Sequence, residues 1–117
     1  MKKLTFYSYS KCSTCRKGLT WLDQKDFKYQ LIDIVKVPPL AKYLEMALRQ
    51  LSENKKKIFN TRGKSIKLID FDLYISSNES IIRSLLSDWK LIKRPFLVYG
   101  EKIILGSNES EYTNHFE

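Results

Sequence analysis

The sequence predicts an α/β domain with a mixed four-stranded sheet, and two features of the chain carry this prediction. The first 34 residues read as strand, helix and strand, an order that gives two parallel strands joined by a right-handed crossover. Near the C-terminus, two apolar runs flank Gly100-Glu101, a turn signal typical of a β-hairpin. Residues 38–92 show helical patterns and no convincing strand, so the predicted order is βαβ, helices, then ββα.

The N-terminal part of the sheet is predicted from three short patterns. Leu4 to Tyr9 is apolar, rich in aromatic residues and roughly alternating, as expected of a strand. Ser13 to Gln24 is predicted as the first helix, in which Gly18 lowers the helix propensity but allows close packing on the sheet. Tyr29 to Ile34 is predicted as the second strand.

The middle of the chain is predicted to be helical. Pro38-Pro39 starts one helix, because proline is favoured in the first helical turn. Ser76 and Glu79 have the spacing of a capping box that opens another helix, and 66–71 is predicted as a short helix. The apolar faces at helical spacing are Leu40, Tyr43, Leu44, Ala47, Leu48 and Leu51 in the first, and Ile81, Ile82, Leu85, Leu86 and Trp89 in the second.

The C-terminal region is predicted to return to the sheet. Phe96 to Tyr99 and Lys102 to Leu105 are the two strands of the hairpin. Asn108 with Glu111 repeats the capping pattern and starts a final helix that ends near Phe116.

Length and composition predict one domain over residues 1–117. We expect 1–37 and 93–117 to form the sheet core and 38–92 to be a helical insertion. Two cysteines and a single histidine, His115, do not supply the four ligands of a structural zinc site within one chain. No apolar run approaches the length of a membrane span, and we expect a cytoplasmic monomer.

The formal net charge of +8 is high for this length and raises the question of an acidic partner. The basic residues are spread along the chain, and the one dense run, Lys55-Lys56-Lys57, has Glu53 close before it. No nucleic-acid motif accompanies that run. A solvated basic face is therefore favoured over direct nucleic-acid binding, and steering of an anionic substrate or acidic partner lies between the two.

Both cysteines lie where the first predicted strand gives way to the first helix. Cys12 and Cys15 form a Cys-x-x-Cys pair, which at such a turn is typical of the redox site of a thioredoxin-like fold. A helix N-terminus favours a thiolate, and Lys11, Arg16 and Lys17 add positive charge. We predict Cys12 as the nucleophile and Cys15 as the resolving thiol. A structural pair of buried, inert thiols is the alternative.

Four motifs in order resemble the arsenate reductase (ArsC)/Spx family, which has a thioredoxin-like fold with a helical insertion. The resemblance covers nearly the whole chain and is closest to an uncharacterised, reductase-like branch of that family. The four motifs are Tyr7 to Lys17, Phe59 to Lys64, Lys93 to Val98 and Leu105 to Tyr112.

The resemblance implies roles for residues beyond the cysteines. Pro95 would be a cis-proline that opens the third strand beside them. Arg94 would project toward the Cys12 thiolate, lower its pKa and hold an oxyanion in its planar fork. The alternative is that Arg94 only pairs with a surface carboxylate. The predicted catalytic residues are Cys12, Cys15 and Arg94, and the predicted substrate-binding residues are Lys11, Arg16, Arg62 and Pro95.

The resemblance leaves three functions open. The first is a thiol–disulfide oxidoreductase with no tightly bound cofactor, linked to glutathione, glutaredoxin or thioredoxin. The second is an Spx-like redox-sensing regulator that binds the C-terminal domain of the RNA polymerase α-subunit. The third is an arsenate reductase, a class that has three arginines around the arsenate. Arg94 matches one of the three, while Asn60 and Gly106-Ser107 stand at the other two positions.

Overall fold

The computed structural model describes residues 2–62 and 77–117 of the chain. Within these ranges lie four strands, four α-helices and two short 3-10 helices, at Lys55–Ile58 and Trp89–Leu91. The strands are β1 (Leu4–Ser8), β2 (Gln30–Asp33), β3 (Phe96–Tyr99) and β4 (Lys102–Leu105). The α-helices are α1 (Ser13–Gln24), α2 (Ala41–Leu51), α3 (Asn78–Ser87) and α4 (Glu109–Phe116).

The strands form one mixed sheet in the order β2-β1-β3-β4. β1 pairs in parallel with β2 and antiparallel with β3, and β3 pairs antiparallel with β4. α1 is the crossover between the parallel strands, as the βαβ pattern predicts. Gly100 opens the two-residue hairpin loop with a φ of +61°, which glycine adopts without a side-chain clash and which a type II′ turn requires there.

Alternating side chains give the sheet a core on each face. On one face, Tyr7 and Phe96 are buried together with apolar residues of α2 and α3. On the other face, Phe6 and Leu97 are buried together with Trp21 of α1 and with residues of α4. The helix that carries both cysteines therefore packs on the opposite side of the sheet from α2 and α3.

Most of the predicted elements are confirmed. α1 and both strands of the hairpin have the predicted bounds, and β1 and β2 are slightly shorter than predicted. α2 begins at Ala41 rather than at Pro38-Pro39, because Leu40 has an extended backbone (φ −64°, ψ 151°) that does not continue a helix. Leu40 is 51% exposed, so its predicted place on the buried face is wrong.

α3 begins one residue later than the predicted capping box implies. The cap is Ser77, whose Oγ accepts a hydrogen bond from the Ser80 amide at 3.4 Å. The predicted cap Ser76 and the predicted short helix 66–71 lie outside the described residues.

The apolar face predicted for α3 needs two corrections. Leu86 is 42% exposed, and Trp89 belongs to the 3-10 helix that follows α3. A new turn starts there because Asp88, a preferred N-cap residue, accepts a hydrogen bond from the Lys90 amide at 3.0 Å. The division of the chain into a sheet core and an insertion at 38–92 stays a prediction.

β4 lies at one edge of the sheet, and the Gln50 side chain pairs with its backbone. Gln50 Nε2 donates to the Ile103 carbonyl at 2.9 Å, and the Ile103 amide donates to Gln50 Oε1 at 2.8 Å. A primary amide carries one donor and one acceptor side by side, so it can replace one residue of a neighbouring strand. This pair of bonds joins α2 to the edge of the sheet.

Gly18 allows α1 to pack closely on the sheet, as its position in the sequence predicts, and it also allows α4 to approach α1 closely. A Cβ at residue 18 would lie 2.8 Å from Tyr112 Oη and 3.2 Å from Phe6 Cζ. The Tyr112 hydroxyl is fixed, because it is buried and donates a 2.6 Å hydrogen bond to the Gly106 carbonyl. This contact ties α4 to the end of β4.

We expect Tyr112→Phe to lower the free energy of unfolding by about 1–3 kcal/mol, because it leaves the Gly106 carbonyl buried without its donor. Tyr29→Phe is the matched control, since it removes a 2.8 Å hydrogen bond to Asp23 at an exposed site. The control should change stability by less than about 0.5 kcal/mol. Urea unfolding of both variants measures the difference. Equal losses would contradict the role given to the buried bond.

Candidate active site

Cys12 is the N-cap residue of α1. Its backbone is extended (φ −98°, ψ 115°), and its amide donates to the Tyr9 carbonyl at 3.0 Å, which closes the turn after β1. Its Sγ accepts a hydrogen bond from the Cys15 amide at 3.4 Å. The sulfur takes the place of the serine or aspartate oxygen of an ordinary N-cap. The amides and the dipole of the helix N-terminus therefore favour a thiolate at this position.

The pKa of Cys12 lies below its ordinary value although the side chain is partly buried. Burial by itself raises this pKa, because desolvation penalises the thiolate. Hydrogen bonds from the thiol and amide of Cys15, the positive charge of Arg94 and the amide of Thr14 together lower the pKa by more. At neutral pH, a larger share of Cys12 is thiolate than of an ordinary cysteine.

Cys15 lies in the first turn of α1 and is completely buried between this helix and the sheet. Burial raises the pKa of Cys15 to about 11, and its hydrogen bond to the Cys12 sulfur acts in the same direction. Cys15 is therefore a thiol at neutral pH and serves as a donor to Cys12. The two sulfurs are adjacent but differ in accessibility and in protonation state.

The Arg94 guanidinium lies against two aromatic rings. Its Cζ is 5.3 Å from the centroid of the Tyr9 ring and 5.1 Å from that of Trp89, and the two ring centroids are 4.8 Å apart. These distances are those of cation–π contacts. Arg94 forms no ion pair with a carboxylate in the described part of the chain, and its buried Nε has no acceptor there. Its charge therefore acts on Cys12 without a neutralising partner among these residues.

A short backbone bridge brings two distant segments to the site. Phe59 and Ile92 form an isolated antiparallel bridge, next to which the Asn60 amide donates to the Leu91 carbonyl at 2.7 Å. The residues that follow each segment, including Arg62, are thereby placed beside the start of α1. The Arg94-Pro95 peptide bond between this bridge and β3 is cis, as the family resemblance implies.

These elements surround a cleft of about 690 Å³ with Cys12 in its wall. The described residues that line the cleft include five cations and no carboxylate, so an anion is favoured over a cation in it. The lining residues are Tyr9, Lys11, Cys12, Ser13, Thr14, Lys17, Asn60, Arg62, Lys93, Arg94, Ser107 and Asn108.

The structure brings together most, but not all, of the site residues predicted from the sequence. Lys11 and Arg62 line the cleft together with Cys12 and Arg94, and Cys15 is buried directly behind. Arg16 does not line the cleft. Its exposed guanidinium donates to the Ser10 carbonyl at 3.2 Å. Pro95 is buried and is also absent from the lining.

Sequence reasoning did not find the aromatic pair that holds Arg94. The sequence predicts Tyr9 at the end of the first strand and Trp89 on the apolar face of a helix. Asp88, a strong N-cap residue, was the available signal that a new turn starts before Trp89. Lys93 and Asn108 also line the cleft without having been singled out for it, and the sequence offers no local signal for either.

The described residues contain no group of three or more potential metal ligands. In the same ranges, no helix is long and apolar enough to cross a membrane.

The model of the ArsC family matches residues 7–115, which is most of the chain and includes the whole cleft. This chain belongs to the ArsC family. The mixed four-stranded sheet with helices packed on it is the architecture that the sequence predicts, and the predicted thioredoxin-like fold class is confirmed.

Three relatives show the range of this family. The uncharacterized protein YusI of Bacillus subtilis is 35% identical over 97% of this chain and 98% of its own length. The crystal structure of a possible arsenate reductase from Streptococcus mutans superposes with a TM-score of 0.85, with 37% identity over 99% of this chain and all of that one. The global transcriptional regulator Spx of Listeria innocua is 25% identical over 92% of this chain and 82% of its own.

We expect Arg94→Gln to raise the pKa of Cys12, because the substitution removes the nearby positive charge that stabilises the thiolate. Alkylation of Cys12 at neutral pH should slow by about threefold, since only the thiolate reacts. The measurement is the pH dependence of thiolate absorbance and of the alkylation rate, both made in a Cys15→Ser background. Arg16→Gln is the control, because it removes the same charge next to the motif but outside the cleft. An equal shift in both variants would contradict a specific role for Arg94.

Proposed function

We propose that this protein is a thiol–disulfide oxidoreductase that uses Cys12 and Cys15 as a redox pair. The observation that carries the proposal is the asymmetry of the two sulfurs. Cys12 has a lowered pKa and lines an open cationic cleft, while Cys15 is buried, protonated and hydrogen-bonded to the Cys12 sulfur. A nucleophile with a resolving thiol directly behind it is the arrangement that thiol–disulfide exchange needs.

In the proposed reaction, the Cys12 thiolate attacks one sulfur of a substrate disulfide. The substrate S–S bond breaks, a mixed disulfide forms on Cys12, and the first substrate sulfur leaves as a thiolate. Cys15 then loses its proton and attacks the Cys12 sulfur, which releases the second substrate thiolate and leaves a Cys12–Cys15 disulfide. Two electrons have passed from the protein to the substrate.

We further propose that a small thiol or a redox protein returns the pair to the dithiol state. Glutathione, glutaredoxin and thioredoxin are the candidate donors, and the cytoplasm is the compartment where they keep thiols reduced. The cationic cleft supports glutathione in particular, because its carboxylates would face Lys11, Arg62 and Arg94. Lys11 and Arg62 are the proposed substrate-binding residues, together with Arg94.

A regulatory role is the second candidate, and the similarity to a global transcriptional regulator over most of the chain favours it. In this proposal the Cys12–Cys15 disulfide changes a surface that binds the C-terminal domain of the RNA polymerase α-subunit.

Arsenate reduction has less support, because Asn60 and Ser107 line the cleft where the family's reductases carry arginines. Arg62 lies in the same cleft, two residues after Asn60, and is the arginine nearest in sequence to that position.

We expect Cys12→Ser to abolish reduction of a disulfide substrate and Cys15→Ser to stop the reaction at the mixed disulfide. The reason is that Cys15 supplies the second attack while Cys12 supplies the first. Mass spectrometry of the intact protein after incubation with oxidised glutathione measures the adduct. The Cys15→Ser variant should retain one bound glutathione. The parent protein should show an internal disulfide and no bound glutathione. Full activity of Cys12→Ser would exclude the assigned nucleophile.

Capture on an immobilised polymerase α C-terminal domain distinguishes the two candidate functions. For the enzyme, we expect turnover with a glutathione- or thioredoxin-linked assay and no capture in either redox state. For the regulator, we expect capture that differs between the reduced protein and the Cys12–Cys15 disulfide form. The Cys12→Ser/Cys15→Ser double variant is the control, because a true redox switch cannot respond to oxidant without both sulfurs.

A further inference from the structure

A second cavity adjoins the Cys12 cleft. It has a volume of about 520 Å³ and lies between α2, the edge of β4 and α4. Lys93 lines both cavities, and Thr61 lines the second one while its neighbours Asn60 and Arg62 line the first. The two cavities are therefore neighbours that share a wall at Lys93, and the pair of them is called the depression.

Positive charge dominates both parts. The Cys12 cleft has Lys11, Lys17, Arg62, Lys93 and Arg94, and the second cavity adds Lys56 and Lys57. Glu111 is the only carboxylate among the described residues that line either cavity. Acidic residues are not scarce in the chain as a whole, with 13 against 21 basic ones, so this excess is local. A concave surface lined with one sign of charge attracts ligands of the opposite sign and raises their association rate.

We propose that the depression is a groove for an acidic polypeptide, and that the natural substrate of Cys12 is a disulfide carried in an acidic segment. This inference rests on the proposed function, because it names the substrate class of the same site. Cys12 contacts the disulfide at one end of the groove. Lys56 and Lys57 at the other end contact acidic side chains of the same segment.

The dimensions favour a polypeptide over a small thiol. Each cavity alone has the volume of a pocket that holds a whole small ligand. A glutathione disulfide bound at Cys12 therefore occupies only the first of the two cavities. A peptide that continues past Lys93 uses both cavities.

The chemistry favours a polypeptide over a nucleic acid. A single-stranded nucleic acid site needs exposed aromatic rings on which the bases stack. The aromatic residues of the described lining are Tyr9, whose ring contacts Arg94, and Phe59, which is 1% exposed. A nucleic acid also brings no sulfur to Cys12.

The reaction in the groove is the exchange described above. The Cys12 thiolate displaces one peptide sulfur and forms a mixed disulfide with the other. Cys15 then gives up its proton, attacks the Cys12 sulfur and displaces the second peptide sulfur. The peptide leaves as a dithiol with two electrons gained, and the protein keeps the disulfide. A cellular thiol of the glutathione or thioredoxin class supplies the electrons for the next cycle.

The test compares two disulfide peptides that differ only in charge, one flanked by Glu and Asp and the other by Gln and Asn. We measure the second-order rate constant at which each oxidises the pre-reduced protein. The acidic peptide should react about tenfold faster at low ionic strength, and the difference should shrink as salt screens the charges. Lys56→Gln/Lys57→Gln should reduce this preference by about threefold. The matched control is Lys28→Gln/Lys36→Gln, whose exposed lysines lie outside both cavities and should leave the preference intact.

Equal rates for the two peptides would contradict the groove proposal. Equal effects of the two double variants on the preference for the acidic peptide would also contradict it. Tighter binding of a single-stranded oligonucleotide than of the acidic peptide, at the same ionic strength, would overturn it in favour of a nucleic acid. Failure of the protein to react with either peptide or with oxidised glutathione overturns the proposed function itself. If the protein reacts with both peptides and with oxidised glutathione, but shows no preference for the acidic peptide, only the groove proposal is contradicted.

Discussion

The hydrogen bond from the Cys15 amide to the Cys12 sulfur is the contact on which the site depends. It makes a cysteine the cap of α1, so the nucleophile and the start of the helix are fixed by the same bond. A thiolate makes this bond stronger than a thiol does, because a charged acceptor strengthens a hydrogen bond. Helix capping and activation of Cys12 therefore favour the same protonation state, and neither opposes the other.

The sheet supplies the second constraint, because it brings the far end of the chain to this helix. β1 is central and ends at the turn that carries Cys12, while β3 runs antiparallel beside it. The residues just before β3 must then lie next to the residues just after β1. Arg94 and Tyr9 occupy these two positions, and their contact follows from the strand pairing. The Trp89 ring lies beside the Tyr9 ring and also contacts the guanidinium, so it limits where this charge can lie.

Local patterns were sufficient for the elements and for the two sulfurs. The alternation in β1, the hairpin glycine and the asparagine cap of α4 are short-range signals, and each led to the observed element. The errors came where neighbours in space decide. Leu40 and Leu86 have helical spacing but face solvent, since no element in the described ranges covers them. Arg16 is close to Cys12 in sequence, yet its position on the first turn of α1 directs it back to Ser10. The cleft is formed by residues from four separated segments of the chain, and no local sequence pattern indicates that these segments are in contact.

The Gln50 amide has a consequence for how this sheet meets other chains. An edge strand with free backbone groups is a template on which a foreign strand can add, and that route leads to swapped dimers or fibres. At Ile103 both outward-facing groups are already engaged by a side chain of the same molecule. Extension of the sheet past β4 would first have to break both bonds of Gln50 to Ile103, so this side chain hinders the recruitment of another strand there.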